Sequence, residues 1–362
     1  MNEYDDLFHP RDPERSHPPI LPQNEEEIQD IFYEQRINRL LLTLYFSVQI
    51  LFVLGMALFK QLAFPNSALI YQNIVTVEAP SFSIETSDED PVYPYLVTLR
   101  GEIQNLNTRI LPKLFVSIEF YHEGRYLDEI EIFQEHVGYE ESFSFNQSYY
   151  FSQPIDQIEY TYGFDFDTAF IVIFTLSQTF LLAILMVLVD RVNFKRKWRE
   201  FRQNISANLG KISIGFILVY LALMASQVIL ETLGISEVSK NEETIASLFT
   251  ADPLRLVLLF LLLCIFTPIV EEIIFRKVVF GFLDRRFGAI IAIIFSGAIF
   301  GIMHVISYGD FIQSIPYILM GTVFGFVYHW SKNNIYVTIG VHFINNLIAY
   351  LLYFVAVLGI VF

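Results

Sequence analysis

The sequence predicts a polytopic α-helical membrane protein with about seven transmembrane helices and an inserted, extracytoplasmic all-β domain. Of its 362 residues, 54% are hydrophobic and 17% are charged, a balance more apolar than that of soluble domains. Seven apolar stretches reach the roughly 20 residues that an α-helix needs to cross a bilayer. Between the first two stretches, residues 66–166 contain no such stretch and alternate between polar and apolar side chains.

Residues 1–37 form the first predicted segment, an acidic tail on the cytoplasmic side. The segment contains five prolines and the run Glu25-Glu26-Glu27. A chain of this composition does not bury enough apolar surface to offset the entropy of folding. We therefore expect a disordered tail that leads into the first transmembrane helix.

The predicted spans account for most of the chain outside the tail and the β domain. They are residues 38–63, 168–190, 211–232, 253–284, 288–308, 312–330 and 335–361. The fourth is too long for one straight span, and Pro268 within it lacks a backbone N–H, which predicts a kink.

Basic residues predict the orientation in the membrane. The loop at residues 191–210 contains six lysines and arginines, and short loops of this kind face the cytoplasm. Arg36 and Arg39 flank the first span and place the N-terminus on the same side. Residues 66–166, with 17 acidic and four basic side chains, then lie outside.

The β domain is predicted from its period of two. Residues 115–120, for example, read Phe-Val-Ser-Ile-Glu-Phe, a pattern typical of half-buried antiparallel strands. We expect a small β-sandwich that binds a ligand or regulator. A net charge of −16 argues against nucleic acid as a partner, and the single cysteine, Cys264, excludes an internal disulfide.

Ionisable residues inside the fourth span are the first indication of chemistry. Glu271, Glu272 and Arg276 lie in an apolar stretch, where each charge costs at least ~2.5–3.5 kcal/mol without a partner or a function. Glu272 and Arg276 are four residues apart and share a helix face, so they can form an ion pair. Glu271 projects about 100° away and lacks that partner. It is a candidate for proton transfer, with a purely structural ion-pair cluster as the alternative.

Polar residues on two further spans strengthen this interpretation. His304 follows Phe300 by four residues in the fifth span, and His342 and Asn346 share a face of the seventh. A rise of 1.5 Å per residue puts these side chains and Glu271 at similar depths. We therefore expect them to meet in one cavity.

The polar residues form three motifs that occur in a fixed order on separate spans. The motifs are Glu271-Glu272-x-x-x-Arg276, Phe300-x-x-x-His304 and His342-x-x-x-Asn346. In this order they resemble the CPBP intramembrane proteases, also called ABI, which include CAAX prenyl endopeptidases of the Rce1 type and bacteriocin-immunity proteins. The resemblance covers the predicted protease core, residues 211–362, and implies nothing about the β domain.

The resemblance implies roles for the motif residues. Glu271 and His304 would activate a water, and His342 and Asn346 would stabilise the oxyanion of the tetrahedral intermediate. These are the two tasks that amide hydrolysis requires.

The remaining motif residues, Glu272, Arg276 and Phe300, would support the site. No cofactor is implied, although Glu271, His304 and His342 could also form the His₂Glu set of a zinc site.

The predicted function is hydrolysis of peptide bonds in a membrane-associated protein or peptide. The alternative is a non-catalytic membrane scaffold or an immunity protein of the same family. Because the tail and the outer domain resemble no eukaryotic CAAX peptidase, we expect a multi-pass protein of a bacterial plasma membrane, whose partners are its substrate and the lipid bilayer.

Overall fold

The computed structural model describes residues 25–63, 74–86, 93–107, 110–235 and 238–359. The described helices are α1 (Glu25–Ala63), α2 (Thr168–Val189), α3 (Arg191–Gln203), α4 (Ile205–Thr232), α5 (Lys240–Ser247), α6 (Pro253–Phe287), α7 (Ala289–Val305), α8 (Ser314–Trp330) and α9 (Ile335–Val357). The described strands are β1 (Ile74–Thr86), β2 (Tyr95–Asn105), β3 (Leu111–His122), β4 (Arg125–Val137), β5 (Ser142–Phe151) and β6 (Gln157–Asp165).

Five of the described helices are long and apolar enough to cross a membrane. They are the part of α1 from Ile31 to Ala63, α2, α4, α6 and α9. Helices α7 and α8 coincide with the fifth and sixth predicted spans, but each has 17 residues, at the lower limit for crossing a bilayer. A multi-pass membrane protein is thus confirmed, whereas the number of seven spans stays a prediction.

The predicted boundary of the acidic tail needs a correction. Helix α1 begins at Glu25, so residues 25–37 are helical rather than part of a disordered tail. The residues after these glutamates include good helix formers. The expectation for residues 1–24 lies outside the described part of the chain.

The predicted basic loop at residues 191–210 is also helical. Helix α3 occupies its first part, and α4 begins at Ile205, before the predicted start at residue 211. Phe194 and Phe201 are buried on one face of α3, and their rings lie 6.0 and 6.2 Å from that of Tyr336 on α9. Their spacing of seven residues is typical of an amphipathic helix. The helix was not predicted because the residues between the two phenylalanines are mostly charged.

The strands form two three-stranded antiparallel sheets, with the orders β1-β2-β5 and β4-β3-β6. Both sheets contribute to one apolar core, with Val97 and Leu99 of β2 and Val116 and Ile118 of β3 fully buried. This is the arrangement of a small sandwich. The side of the membrane on which it lies stays a prediction.

Helix α6 carries the acidic motif and departs from α-helical geometry on both sides of it. Leu261–Phe266 and Ile273–Phe280 are π-helical, and Thr267–Glu272 between them is α-helical. Pro268 is the second residue of this α-helical segment, and because it has no N–H it interrupts the hydrogen bonds of the helix. Short π-helical segments are frequent at functional sites because they re-aim side chains.

Helices α7 and α8 approach each other through glycines. A Cβ atom placed on Gly297 would lie 2.6 Å from the backbone nitrogen of Thr322, and one on Gly301 would lie 2.5 Å from that of Ile318. Small residues four apart allow backbones to pack at this distance inside a membrane. This contact determines where α7 holds His304.

Candidate active site

Glu271 and Glu272 lie in different environments. Glu272 and Arg276 are fully buried, and the Nε of Arg276 donates to Oε2 of Glu272 at 3.1 Å. The side chain of Glu271 is 22% exposed and lines a cavity of about 250 Å³. One carboxylate is therefore held by a cation, and its neighbour faces open space.

The Arg276 guanidinium is held from several directions. Its Nη1 donates to Oγ of Ser296 at 3.3 Å. Its charge lies 5.3 Å from the ring centre of Phe300 and 5.6 Å from that of Phe324, distances that suit cation–π attraction. Phe300 thus packs against the buried ion pair rather than against the cavity.

His304 presents one ring nitrogen to Glu271. Its Nδ1 lies 2.8 Å from the carbonyl oxygen of Phe300, which only accepts, so Nδ1 carries the proton. In the neutral ring Nε2 then has a free lone pair, and it lies 4.0 Å from Oε1 of Glu271. A gap of this size is too long for a direct hydrogen bond and allows a water to bridge the two groups.

His342 lies between the two glutamates. Its Nδ1 is 3.0 Å from Oε1 of Glu272, and its Nε2 is 3.7 Å from Oε2 of Glu271. The ring stacks on Phe324 with a centroid distance of 4.8 Å, and the side chain is only 3% exposed. This bridge is not predictable from the sequence, because the periodicity of one helix does not indicate which side chain of another helix it contacts.

Asn346 contacts a different part of α6. Its Nδ2 donates to the carbonyl oxygen of Leu263 at 2.8 Å. In a π-helix each N–H bonds to the carbonyl five residues earlier, as the N–H of Thr267 does with the carbonyl of Leu262. The carbonyl of Leu263 would pair in the same way with residue 268. That residue is a proline and has no N–H. Asn346 therefore supplies the hydrogen bond that the proline cannot.

The structure brings only part of the predicted set to the cavity. Glu271 and His304 line it, together with Tyr45, Asn241 and Tyr308, whereas His342 and Asn346 are not among its lining residues. The expectation was that all four side chains meet in one cavity. Instead, Glu271 and His304 are partly exposed at the cavity, and His342 is buried beside Glu271.

Residues 253–348 match the family described as "Type II CAAX prenyl endopeptidase Rce1-like", and the matched segment includes all three motifs. This part of the chain is therefore similar to the Rce1-like CAAX proteases. Helix α1, the β domain and α2 lie outside the match.

Two curated bacterial relatives are each similar to a little over a third of this chain. "Putative membrane peptidase YdiL" of Bacillus subtilis (strain 168) is 34% identical over 131 residues, which is 36% of this chain and 50% of YdiL. "Membrane-embedded CAAX protease MroQ" of Staphylococcus aureus (strain USA300) is 30% identical over 137 residues, 37% of this chain and 53% of MroQ. This chain therefore spans about half the length of each. No solved structure matches.

Tyr317 of α8 contacts His304 and was not among the residues predicted from the sequence. Its ring stacks on that of His304 at a centroid distance of 4.8 Å and an angle of 15°. Its hydroxyl is 2.8 Å from Oγ of Ser239 and accepts from Nδ2 of Asn241 at 3.1 Å. A tyrosine in an apolar helix resembles an ordinary membrane residue, so the sequence carried no signal for this role.

The zinc alternative concerns the same three side chains. In the described part of the chain, no group of three or more His, Cys, Asp or Glu side chains has the arrangement of a metal site. The absence of a cofactor stays a prediction that chelation tests.

Proposed function

We propose that this protein is an intramembrane endopeptidase that hydrolyses peptide bonds of a membrane-associated protein or peptide. The observation that carries the proposal is the pair formed by Oε1 of Glu271 and Nε2 of His304, 4.0 Å apart at the wall of a cavity. A water between them donates one hydrogen to each acceptor, which orients its oxygen lone pair towards a substrate carbonyl.

The proposed reaction uses both groups. Glu271 takes a proton from the water as its oxygen bonds to the carbonyl carbon. The tetrahedral intermediate collapses as the C–N bond breaks, and the proton on Glu271 passes to the leaving nitrogen. Tyr317 holds the His304 ring in place by stacking on it. The hydrogen bond from Nδ1 of His304 to the Phe300 carbonyl fixes the tautomer in which Nδ1 carries the proton.

His342 has a positioning role in this proposal. With Glu272 accepting from Nδ1, a neutral ring has only a lone pair at Nε2 and cannot donate to an oxyanion. It donates from Nε2 only when it carries both protons, and in that form its charge attracts Oε2 of Glu271, 3.7 Å away, and holds this carboxylate near the buried pair. Asn346 uses one N–H for Leu263, and a role of its second N–H at the oxyanion stays a prediction.

The non-catalytic scaffold is favoured by a different observation. Glu272, Arg276 and His342 form a buried network that stabilises helix packing whether or not any peptide is cleaved. Glu271→Gln separates the two proposals, because the amide is nearly isosteric but does not take up the proton. Glu231→Gln, at the exposed end of α4, is the matched control.

The test measures cleavage of a quenched membrane peptide by the full chain in proteoliposomes. The proposal expects Glu271→Gln to lose about 10²–10⁴-fold in rate, the usual contribution of a general base, with an unchanged melting temperature. Cleavage by Glu271→Gln at the wild-type rate would contradict the catalytic role of Glu271 and favour the non-catalytic scaffold. The same assay in chelator is expected to retain activity, and a loss that zinc restores would establish the metal alternative.

A further inference from the structure

A second polar cavity lies between the ends of α1, α3 and α6 and the start of α9, at the boundary predicted to face the cytoplasm. Its volume is about 210 Å³. Five basic side chains line it against two acidic ones, Glu34 and Asp190. The basic residues are Arg196, Lys197, Lys277, Arg285 and Lys332. The lining therefore has an excess of three positive charges.

Two of these cations have no acidic partner among the described residues. Lys277 pairs with Asp190, Arg196 approaches Glu34 at 3.8 Å, and Lys197 binds Glu200 outside the cavity at 2.9 Å. Arg285 and Lys332 make no salt bridge within the described chain. Their charges are available to an anion in the cavity.

Asn38 of α1 adds a second, independent observation. The residue is only 7% exposed, and its Oδ1 is buried without a hydrogen-bond partner in the described part of the chain. A buried carbonyl oxygen that accepts no hydrogen bond is unfavourable. Because Asn38 lines the cavity, a ligand there with a hydroxyl group could donate to it.

An apolar groove of about 650 Å³ adjoins this cavity. Leu42 of α1 and Val278, Val279, Phe282 and Leu283 of α6 form its walls. Asn38 and Arg285 line both spaces. The cavity, which offers positive charge and an acceptor for a hydroxyl group, is therefore next to the hydrophobic groove. The groove is within the size range of ligand sites, roughly 300–1,000 Å³.

We propose that the cavity and groove together bind one anionic phospholipid whose headgroup carries hydroxyl groups. The phosphate would lie beside Arg285 and Lys332, a headgroup hydroxyl would donate to Oδ1 of Asn38, and an acyl chain would occupy the groove. Basic pockets at the cytoplasmic ends of membrane helices suit anionic headgroups. A free phosphate would use only the cavity, and a neutral lipid would use only the groove.

The test is native mass spectrometry of the full chain in detergent, titrated with phosphatidylglycerol or with phosphatidylcholine of the same acyl chains. The proposal expects tighter binding of phosphatidylglycerol. The double variant Arg285→Gln/Lys332→Gln should weaken that binding about 30-fold, which corresponds to about 2 kcal/mol for two charges. Lys195→Gln/Arg199→Gln removes the same charge from exposed positions of α3 outside both spaces and should have little effect.

Val279→Phe tests the groove, because the larger side chain would fill it. The control is Ile290→Phe, at a position that is 75% exposed and lies outside the groove. Only the first is expected to weaken lipid binding. Soluble glycerol phosphate should compete poorly, because it lacks the acyl chain. Equal binding of the two lipids, equal effects of the two charge variants, or full competition by glycerol phosphate would each overturn the proposal, and none depends on peptidase activity.

Discussion

At the residue scale, two neighbouring glutamates have different tasks because a helix turns them apart. Glu272 is fully buried and contacts both Arg276 and His342. Glu271 contacts the solvent-accessible cavity and approaches two histidines. Substitution at the two positions should therefore affect different properties.

Glu272→Ala should lower stability. It leaves the Arg276 guanidinium buried without its carboxylate and removes the acceptor of His342, and breaking a buried pair in this way typically costs ~3–5 kcal/mol. A thermal melt in detergent, beside the yield of folded protein, measures the effect, with Glu231→Gln as the control. A melting temperature equal to the wild-type value would show that the pair does not stabilise the fold.

Tyr317 should act on catalysis through His304. Tyr317→Leu removes the ring that stacks on the imidazole and is expected to lower kcat more than it changes KM. Tyr317→Phe keeps the ring and loses the bonds to Ser239 and Asn241, so it should recover most of the rate. Peptide cleavage kinetics distinguish the two variants, and equal losses would exclude positioning by stacking.

At the element scale, the site depends on helices that are irregular or unusually close. The π-helical turns of α6 surround the turn that carries Glu271. Asn346 of α9 compensates for the missing N–H of Pro268 by binding Leu263. The kink predicted from the proline is therefore accompanied by a specific bond to another helix, which links α9 to the acidic motif.

Gly301→Ala tests the close contact of α7 and α8. The added methyl would lie 2.5 Å from the backbone nitrogen of Ile318, and overpacking of this kind typically costs about 1–3 kcal/mol. Gly210→Ala, where a Cβ meets nothing within 4 Å, should be neutral or stabilising because alanine favours a helix. Melting curves of both variants give the comparison, and similar shifts would contradict the steric argument.

At the scale of the whole molecule, the chain combines a membrane part that contains the family motifs with a sandwich of two antiparallel sheets. The family match covers residues 253–348 and does not reach the sandwich. That the sandwich recognises a ligand or regulator outside the membrane stays a prediction.

Topology can be tested with single engineered cysteines. The native Cys264 is buried and should give a low background. Ser152→Cys, exposed in the sandwich, and Ser206→Cys, exposed at the start of α4, would be treated with an impermeant thiol reagent in intact cells. The distribution of basic residues predicts labelling of the first without permeabilisation and of the second only after it. The reverse pattern would invert the orientation.

The sequence by itself determined the features that depend on local periodicity. Apolar stretches indicated membrane helices, alternation indicated the sandwich, and a spacing of four brought Glu272 and Arg276 to one helix face. The ordered motifs also indicated the family. Each of these depends on the geometry of a single element, which neighbouring residues largely determine.

Only the tertiary structure decided which elements meet. It placed His342 between Glu271 and Glu272, and it directed Asn346 to Leu263. It also showed α3 as a helix whose buried face packs on Tyr336. These contacts join residues 70 or more positions apart in the chain. The free energy that selects them comes from packing between helices, and the periodicity of a single helix carries no information about that packing.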